Sequence, residues 1–143
     1  GASDASAMES LLGWSCTSLV AEVDGRCVGF CIVLPEGTPY ASPNYRWFAE
    51  RFAEFRYVDR IALDAGARGS GIGAACYREV ASRHPGLVIA LEVNVVPPNE
   101  GSMRFHLREG FRELERAETR PGNVVSLMAR DPLVPPPKYP AEP

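Results

Sequence analysis

The run Tyr57–Arg83, reading YVDRIALDAGARGSGIGAACYREVASR, constrains this chain more than any other. It divides into an apolar strand, a glycine-punctuated loop and an amphipathic helix. In the loop, Gly69, Gly71 and Gly73 fall at every second position where the helix is expected to begin. Glycine admits positive φ and lets backbone approach a ligand closely. A helix starting there leaves its first N–H groups without intrahelical partners, and its dipole adds partial positive charge. Arg68 sets a full charge at the edge. Arg68, Gly69, Ser70, Gly71, Ile72, Gly73 and Ala74 therefore form a candidate anion site suited to a pyrophosphate.

Two familiar phosphate-binding patterns do not fit. A dinucleotide fold needs G-x-G-x-x-G and an acidic residue about 20 positions on, at the end of the next strand. Here the third glycine comes one residue early, and Glu92 lies in mid-strand. A P-loop needs Lys after its last glycine, whereas the only lysine of the chain is Lys138.

Arg68-Gly69-Ser70-Gly71-Ile72-Gly73 after an apolar strand resembles the [RQ]-x-x-G-x-[GA] signature of the GCN5-related N-acetyltransferase (GNAT) superfamily. Downstream, Asn99, Ser102-Met103, Phe105-His106 and Gly110-Phe111 follow that family's N-x-x-[AS]-hydrophobic-x-F-Y-x-x-x-G-F at every spacing. The resemblance runs from about Leu19 to Arg130. It implies an α/β fold: a mixed, twisted sheet whose central parallel strands splay to hold acyl-CoA, flanked by helices. It also implies that the backbone of Ile61, Ala62 and Leu63 binds the pantetheine arm, and that Asn99, Ser102 and His106 line the cofactor site. His106 stands where the family commonly carries a Tyr that protonates or solvates the departing thiolate. The resemblance thus offers His106 as a catalytic acid, against the alternative of a ring packed among Met103, Phe105 and Leu107.

The 143 residues suit one domain with one core. A net charge of −3 gives no reason to expect nucleic acid or an anionic membrane as partner. No apolar run is long enough for a membrane span and no signal segment opens the chain. The four cysteines form no C-x-x-C pair, and Cys27 and Cys31 would stand roughly 13 Å apart on one strand face, too far to bridge. A cytoplasmic protein with reduced thiols and no metal is the expectation.

Along the chain, Asp4–Leu12 reads as a short helix. The family pattern usually opens with a strand and a longer helix pair, so the first strand and helix are expected to be missing or truncated from a single domain over 1–130. Asp24-Gly25 signals a hairpin between Leu19–Val23 and Arg26–Leu34 near a sheet edge, and Gly29 marks a bulge or a close neighbour. Ser42-Pro43 starts a helix, along which Tyr45, Phe48, Phe52 and Phe55 make an aromatic stripe. That stripe serves docking; a second reading gives Tyr45 or Trp47 to an acceptor pocket. In the strand Arg56–Leu63, strict alternation puts Tyr57, Asp59, Ile61 and Leu63 on one face. After the loop, Ile72, Ala75, Cys76 and Val80 form the apolar stripe of a helix ended by His84-Pro85-Gly86, with His84 structural or solvated. Leu87–Val96 reads as a buried parallel strand. A capped helix Glu100–Glu109 follows, then a hairpin of Phe111–Arg120 and Val124–Arg130, and a proline-rich tail from 131 to 143.

What the resemblance implies chemically is transfer of an acetyl group from acetyl-CoA to a small-molecule or peptide amine in a ternary complex, with a homodimer left open. A protonated amine must lose a proton before it attacks. Asp59 and Glu92 are the strand carboxylates able to take it, and Asp59 is preferred for its place on the central strand. The competing reading is a non-catalytic acyl-CoA-binding module, regulatory or scaffolding, with the tail as a partner ligand.

Overall fold

The computed structural model describes residues 2–132; the tail from residue 133 lies outside the described residues. Helices α1 (Ala2–Trp14), α2 (Pro43–Ala49), α3 (Ile72–Arg83) and α4 (Glu100–Arg108) cover a sheet of β1 (Thr17–Val23), β2 (Arg26–Pro35), β3 (Arg56–Leu63), β4 (Ile89–Val96), β5 (Arg112–Arg120) and β6 (Asn123–Arg130). The strand order is β1-β2-β3-β4-β6-β5. All neighbours are antiparallel except β3 and β4, joined by the crossover through α3. One face of the sheet carries a core with Leu11 of α1, Tyr45 and Phe48 of α2, Phe55 and Tyr57. The other packs Val58, Ile89, Leu91 and Val93 against Tyr77 and Val80 of α3 and the Met103 and Phe105 side chains of α4.

Several local signals act as their chemistry dictates. Asp24 and Gly25 both take positive φ, 51° and 78°, as a tight hairpin turn requires. A Cβ on Gly29 would stand 2.6 Å from the Ala62 carbonyl oxygen, so β2 and β3 approach as closely as they do only over glycine. The Ser42 side chain accepts from the Tyr45 N–H with Pro43 in the first turn. At the end of α4 the Gly110 N–H bonds the Leu107 carbonyl and the Phe111 N–H bonds that of His106, the paired bonds of a Schellman stop.

Four expectations need correction. Helix α2 ends at Ala49: Arg51 and Phe52 both donate to the Phe48 carbonyl, and the chain turns back so that Phe55 reaches the core from a loop. The aromatic stripe is therefore a cluster, with Phe48 and Phe55 ring centroids 6.4 Å apart. Tyr45 is 2 % exposed and Trp47 donates to Glu115 while Arg51 covers its ring at 3.8 Å, so both serve packing. Second, β3 does not alternate strictly. Ile32 pairs with Arg60 but Val33 with Val58, leaving Asp59 as a bulge. The bulge flips the faces beyond it: Tyr57 faces α2, whereas Ile61 packs toward α3. Third, the buried face of α3 is Gly73, Cys76, Tyr77 and Val80, while Ala75 is exposed. Fourth, β4 begins at Ile89 and its far end, from Asn94 on, opens to solvent.

Both histidines have hydrogen-bond partners on their two ring nitrogens. The His84 ring caps α3 between Thr17 Oγ1 at 2.7 Å and Arg56, whose Nε donates to Nδ1 at 3.0 Å. Burial and the nearby arginine charges hold its pKa below the usual value. His106 is 3 % exposed. Its Nδ1 lies 2.8 Å from the Ser102 carbonyl oxygen, an acceptor only, so that nitrogen carries the proton. Its Nε2 then accepts from the Tyr77 hydroxyl at 2.6 Å. The rings of Tyr77, Phe105 and Phe111 surround it at centroid distances of 5.5, 5.0 and 5.3 Å.

Burial lowers the His106 pKa below 6.5, so on acidification the unfolded chain takes up this proton first. Its contribution is complete above about pH 6.5 and is lost as pH falls through that value towards the folded pKa. His106→Phe should lose about 1–3 kcal/mol at neutral pH, because the buried Tyr77 hydroxyl is left without a partner. The deficit should narrow between pH 7 and 5. Urea titrations of the two proteins across that range check both points; an unchanged midpoint would remove His106 from the core.

Candidate active site

Strands β3 and β4 each have eight residues but pair only at Arg56↔Ile89 and Tyr57↔Ala90. Beyond those positions β3 stays bonded to β2 and β4 to β6, so two backbone edges diverge around a wedge-shaped cleft. Ile61, Ala62 and Leu63 lie along the β3 edge of it. The Asp59 bulge, just past the last parallel pair, adds the bend and twist that part the strands.

The glycine loop closes the wide end. After a 3₁₀ turn at Ala65–Ala67, Arg68 is exposed and extended, and Gly69 and Gly71 take φ of 78° and 85°. Gly71 is the N-cap of α3 and offers no side chain to its first turn. The first backbone donor that finds an intrahelical acceptor there is Ala75, bonded to the Gly71 carbonyl at 3.0 Å. A Cβ at Gly69 or Gly71 would meet nothing within 4 Å, so the space before the N–H groups is open. Gly73 does the opposite. A Cβ there would stand 2.7 Å from Phe105 Cζ, so α4 rests directly on the first turn of α3. Asn99 caps α4, its side chain accepting from the Ser102 N–H at 3.2 Å, and the Ser102 hydroxyl lies 3.2 Å from His106 Nδ1.

On the α1–α2 face of the cleft lies a polar cluster. The Tyr57 hydroxyl donates to Glu92 Oε2 at 2.7 Å, and Asn44 Nδ2 donates to Oε1 at 3.2 Å. Asn44, 3 % exposed, accepts in turn from the Thr119 hydroxyl. Tyr40 donates to Asp59 Oδ1 at 2.7 Å, and Arg60 Nε stands 3.5 Å from Oδ2. Burial, helped by the neighbouring Asp59 charge and opposed by the two hydrogen bonds, pushes Glu92 up to about 7. Burial and the bond to Asp59 push the Tyr40 phenol well above its usual pKa, which keeps it a donor.

The structure thus brings the glycine loop, the β3 edge and the start of α4 to one side of the cleft, and Asp59 and Glu92 to the other. His106 is on α4 as expected, but both ring nitrogens are engaged inside the core. Tyr40, Asn44, Tyr77 and Thr119 were not singled out in the sequence. Asn44 carries a faint signal, as an amide in the first turn of an otherwise aromatic helix. Nothing in the spacing of Tyr57 and Glu92 announces that they meet.

Solved structures of similar fold include an acetyltransferase of Corynebacterium glutamicum described as histone acetyltransferase HPA2 and related (TM-score 0.67, 21 % identity, 92 % of this chain and 72 % of that one). Chaetomium thermophilum Naa20 in complex with a bisubstrate analogue aligns with TM-score 0.70 at 16 % identity over 89 % of this chain and 72 % of that one. An aminoglycoside 6′-N-acetyltransferase complexed with coenzyme A gives TM-score 0.64 at 16 % identity over 96 % of this chain and 84 % of that one. No curated protein sequence matches the chain. The model of the Acetyltransferase (GNAT) family matches residues 3–111, and with the cleft and the glycine loop already in place, the chain belongs to that family.

Proposed function

We propose that this chain transfers an acetyl group from acetyl-CoA to an amine, both substrates being bound at once. The observation that carries the reading is the parallel pair that parts after two residues and opens onto the bare N-terminus of α3. The residues present fit the cosubstrate: an extended edge for an amide-bearing arm, and an open glycine cradle with Arg68 beside it for a pyrophosphate. Coenzyme A and a bisubstrate analogue in structures of similar fold support the same choice.

Acetyl-CoA supplies a thioester ready for attack by a neutral amine. The backbone of Ile61–Leu63 orients the pantetheine arm, and N–H groups on the unpaired β3 edge polarise the carbonyl. Binding both partners in the cleft converts the attack into a proximity-driven step. Of the two carboxylates, Glu92 suits proton removal better than Asp59. It is poised near neutrality, as an efficient base requires, whereas Asp59 has the Arg60 guanidinium beside it at 3.5 Å, a cation that favours the carboxylate and opposes proton uptake. Asn99 and Ser102 hold the start of α4 at the cleft, and His106 fixes that helix from behind. No proton donation is required of His106.

Thiol release from acetyl-CoA against a panel of amino acids, short peptides and polyamines tests the reading; cosubstrate binding without release to any acceptor would favour the non-catalytic module. Two variants test the cradle. Arg68→Ala removes a charge-assisted contact, and Gly71→Val forces a branched residue to φ 85°, so calorimetry should show each folded protein binding CoA at least about tenfold more weakly. Glu92→Gln should lower turnover roughly a hundredfold without changing CoA affinity. In the wild type, turnover should fall tenfold per pH unit below about pH 7 as Glu92 takes up its proton. A flat profile between pH 5.5 and 8 would clear Glu92 of the base role.

A further inference from the structure

We infer that Tyr57 and Asn44 are positioning residues for acetyl transfer: acting through Glu92, they hold its carboxylate ionised and aimed at the cleft, where it receives the acceptor's proton. The inference rests on the assignment of Glu92 as the base. Each residue spends its donor on a different carboxylate oxygen, Tyr57 on Oε2 and Asn44 on Oε1. The donors come from opposite sides, one from the last paired residue of β3 and one from α2 above the sheet. Asn44 cannot turn away, because its amide oxygen accepts from Thr119 on β5. Neither donor can itself take the proton: burial keeps the Tyr57 phenol well above its usual pKa, and an amide does not titrate.

The groups facing Glu92 set the sign. Tyr57 and Asp59 face it from β3, Asn44 from α2 and Tyr40 from the segment before α2, with Arg120 of β5 acting on Tyr40. Desolvation and Asp59 favour the protonated acid, while Tyr57 and Asn44 favour the carboxylate. In the step itself, the proton leaves the ammonium nitrogen for a Glu92 oxygen, and the freed lone pair becomes the nucleophile. Without the two donors Glu92 would arrive at that step already protonated.

The test uses the whole chain with glutamate labelled at the side-chain carboxyl carbon. The Glu92 signal, identified by its loss in Glu92→Gln, is titrated by NMR in wild type, Tyr57→Phe and Asn44→Leu. Circular dichroism reports folding, and the two variants lie on different elements, so a failure of one leaves the other. The wild-type midpoint should lie near pH 7, and each variant should raise it by roughly 0.5–1 unit. With whichever member of the amine panel supports thiol release, the acid limb of kcat should move up by the same amount. Turnover at pH 7 should then drop about two- to fivefold and recover above pH 8, with KM for acetyl-CoA unchanged. An unmoved Glu92 midpoint in the folded variants would overturn the inference. A moved midpoint with an unmoved acid limb would instead overturn the base assignment beneath it.

Discussion

A parallel strand pair that parts after two residues is the constraint on which the rest of this molecule depends. Backbone N–H and C=O groups are obligatory hydrogen-bonding groups, and a sheet normally satisfies them between neighbours. Past Tyr57 and Ala90, β3 and β4 satisfy theirs only on their outer sides. Water or an amide-bearing ligand must serve the inner edges. Water alone would make the cleft a site of weakness, so strong antiparallel pairing lies on both sides of it, β1–β2–β3 and β4–β6–β5. The α3 crossover, clamped through His84 to Thr17 and Arg56, holds the narrow end together.

The two sequence motifs prove to be halves of one packing unit. Gly73 closes the first and Phe105 belongs to the second, and the ring sits where a Cβ of residue 73 would be. Tyr77, one turn further along α3, stacks on the same Phe105 at 5.9 Å and bonds His106. Any larger residue at 73 would push α4 outward. The glycine thus serves packing, while Gly69 and Gly71 leave space open. A histidine at position 106 fits this unit because a neutral imidazole offers both a donor and an acceptor. Phenol at that position would have one oxygen for two partners.

Much of this was legible in the residues, where the signals are local. The Asp24-Gly25 turn, the Ser42-Pro43 helix start, the glycine loop and the Gly110-Phe111 stop each depend on a few adjacent residues, and each stands where the chain places it. Loss of legibility began where register decides. The bulge at Asp59 depends on how β2 pairs with β3, and it alone reverses the faces of Ile61 and Asp59's neighbours. The early end of α2 depends on Phe55 being drawn back to the core. The meeting of Tyr57 with Glu92 requires knowing that two residues 35 apart lie across a parting pair of strands.

Another of the sheet's bulges bears on the same cluster. Glu118 pairs with Val124 but Arg120 with Asn123, so Thr119 is the extra residue of β5. Bulges re-aim side chains that strict alternation would send elsewhere. Asp59 and Thr119 are both re-aimed toward the polar cluster on the α1–α2 face: Asp59 meets Tyr40, and Thr119 meets Asn44. Burying two carboxylates side by side is costly, since desolvation and mutual repulsion both oppose the doubly charged state. The cluster relieves this cost by dividing its donors, Tyr40 and Arg60 to Asp59, Tyr57 and Asn44 to Glu92. Glu92 is left near neutrality by the balance. For stability alone, apolar residues of the same volume would serve at least as well. On the proposed function, a buried pair so evenly supplied with donors, on the open flank of a cleft, is placed to receive the proton that the acceptor amine must lose.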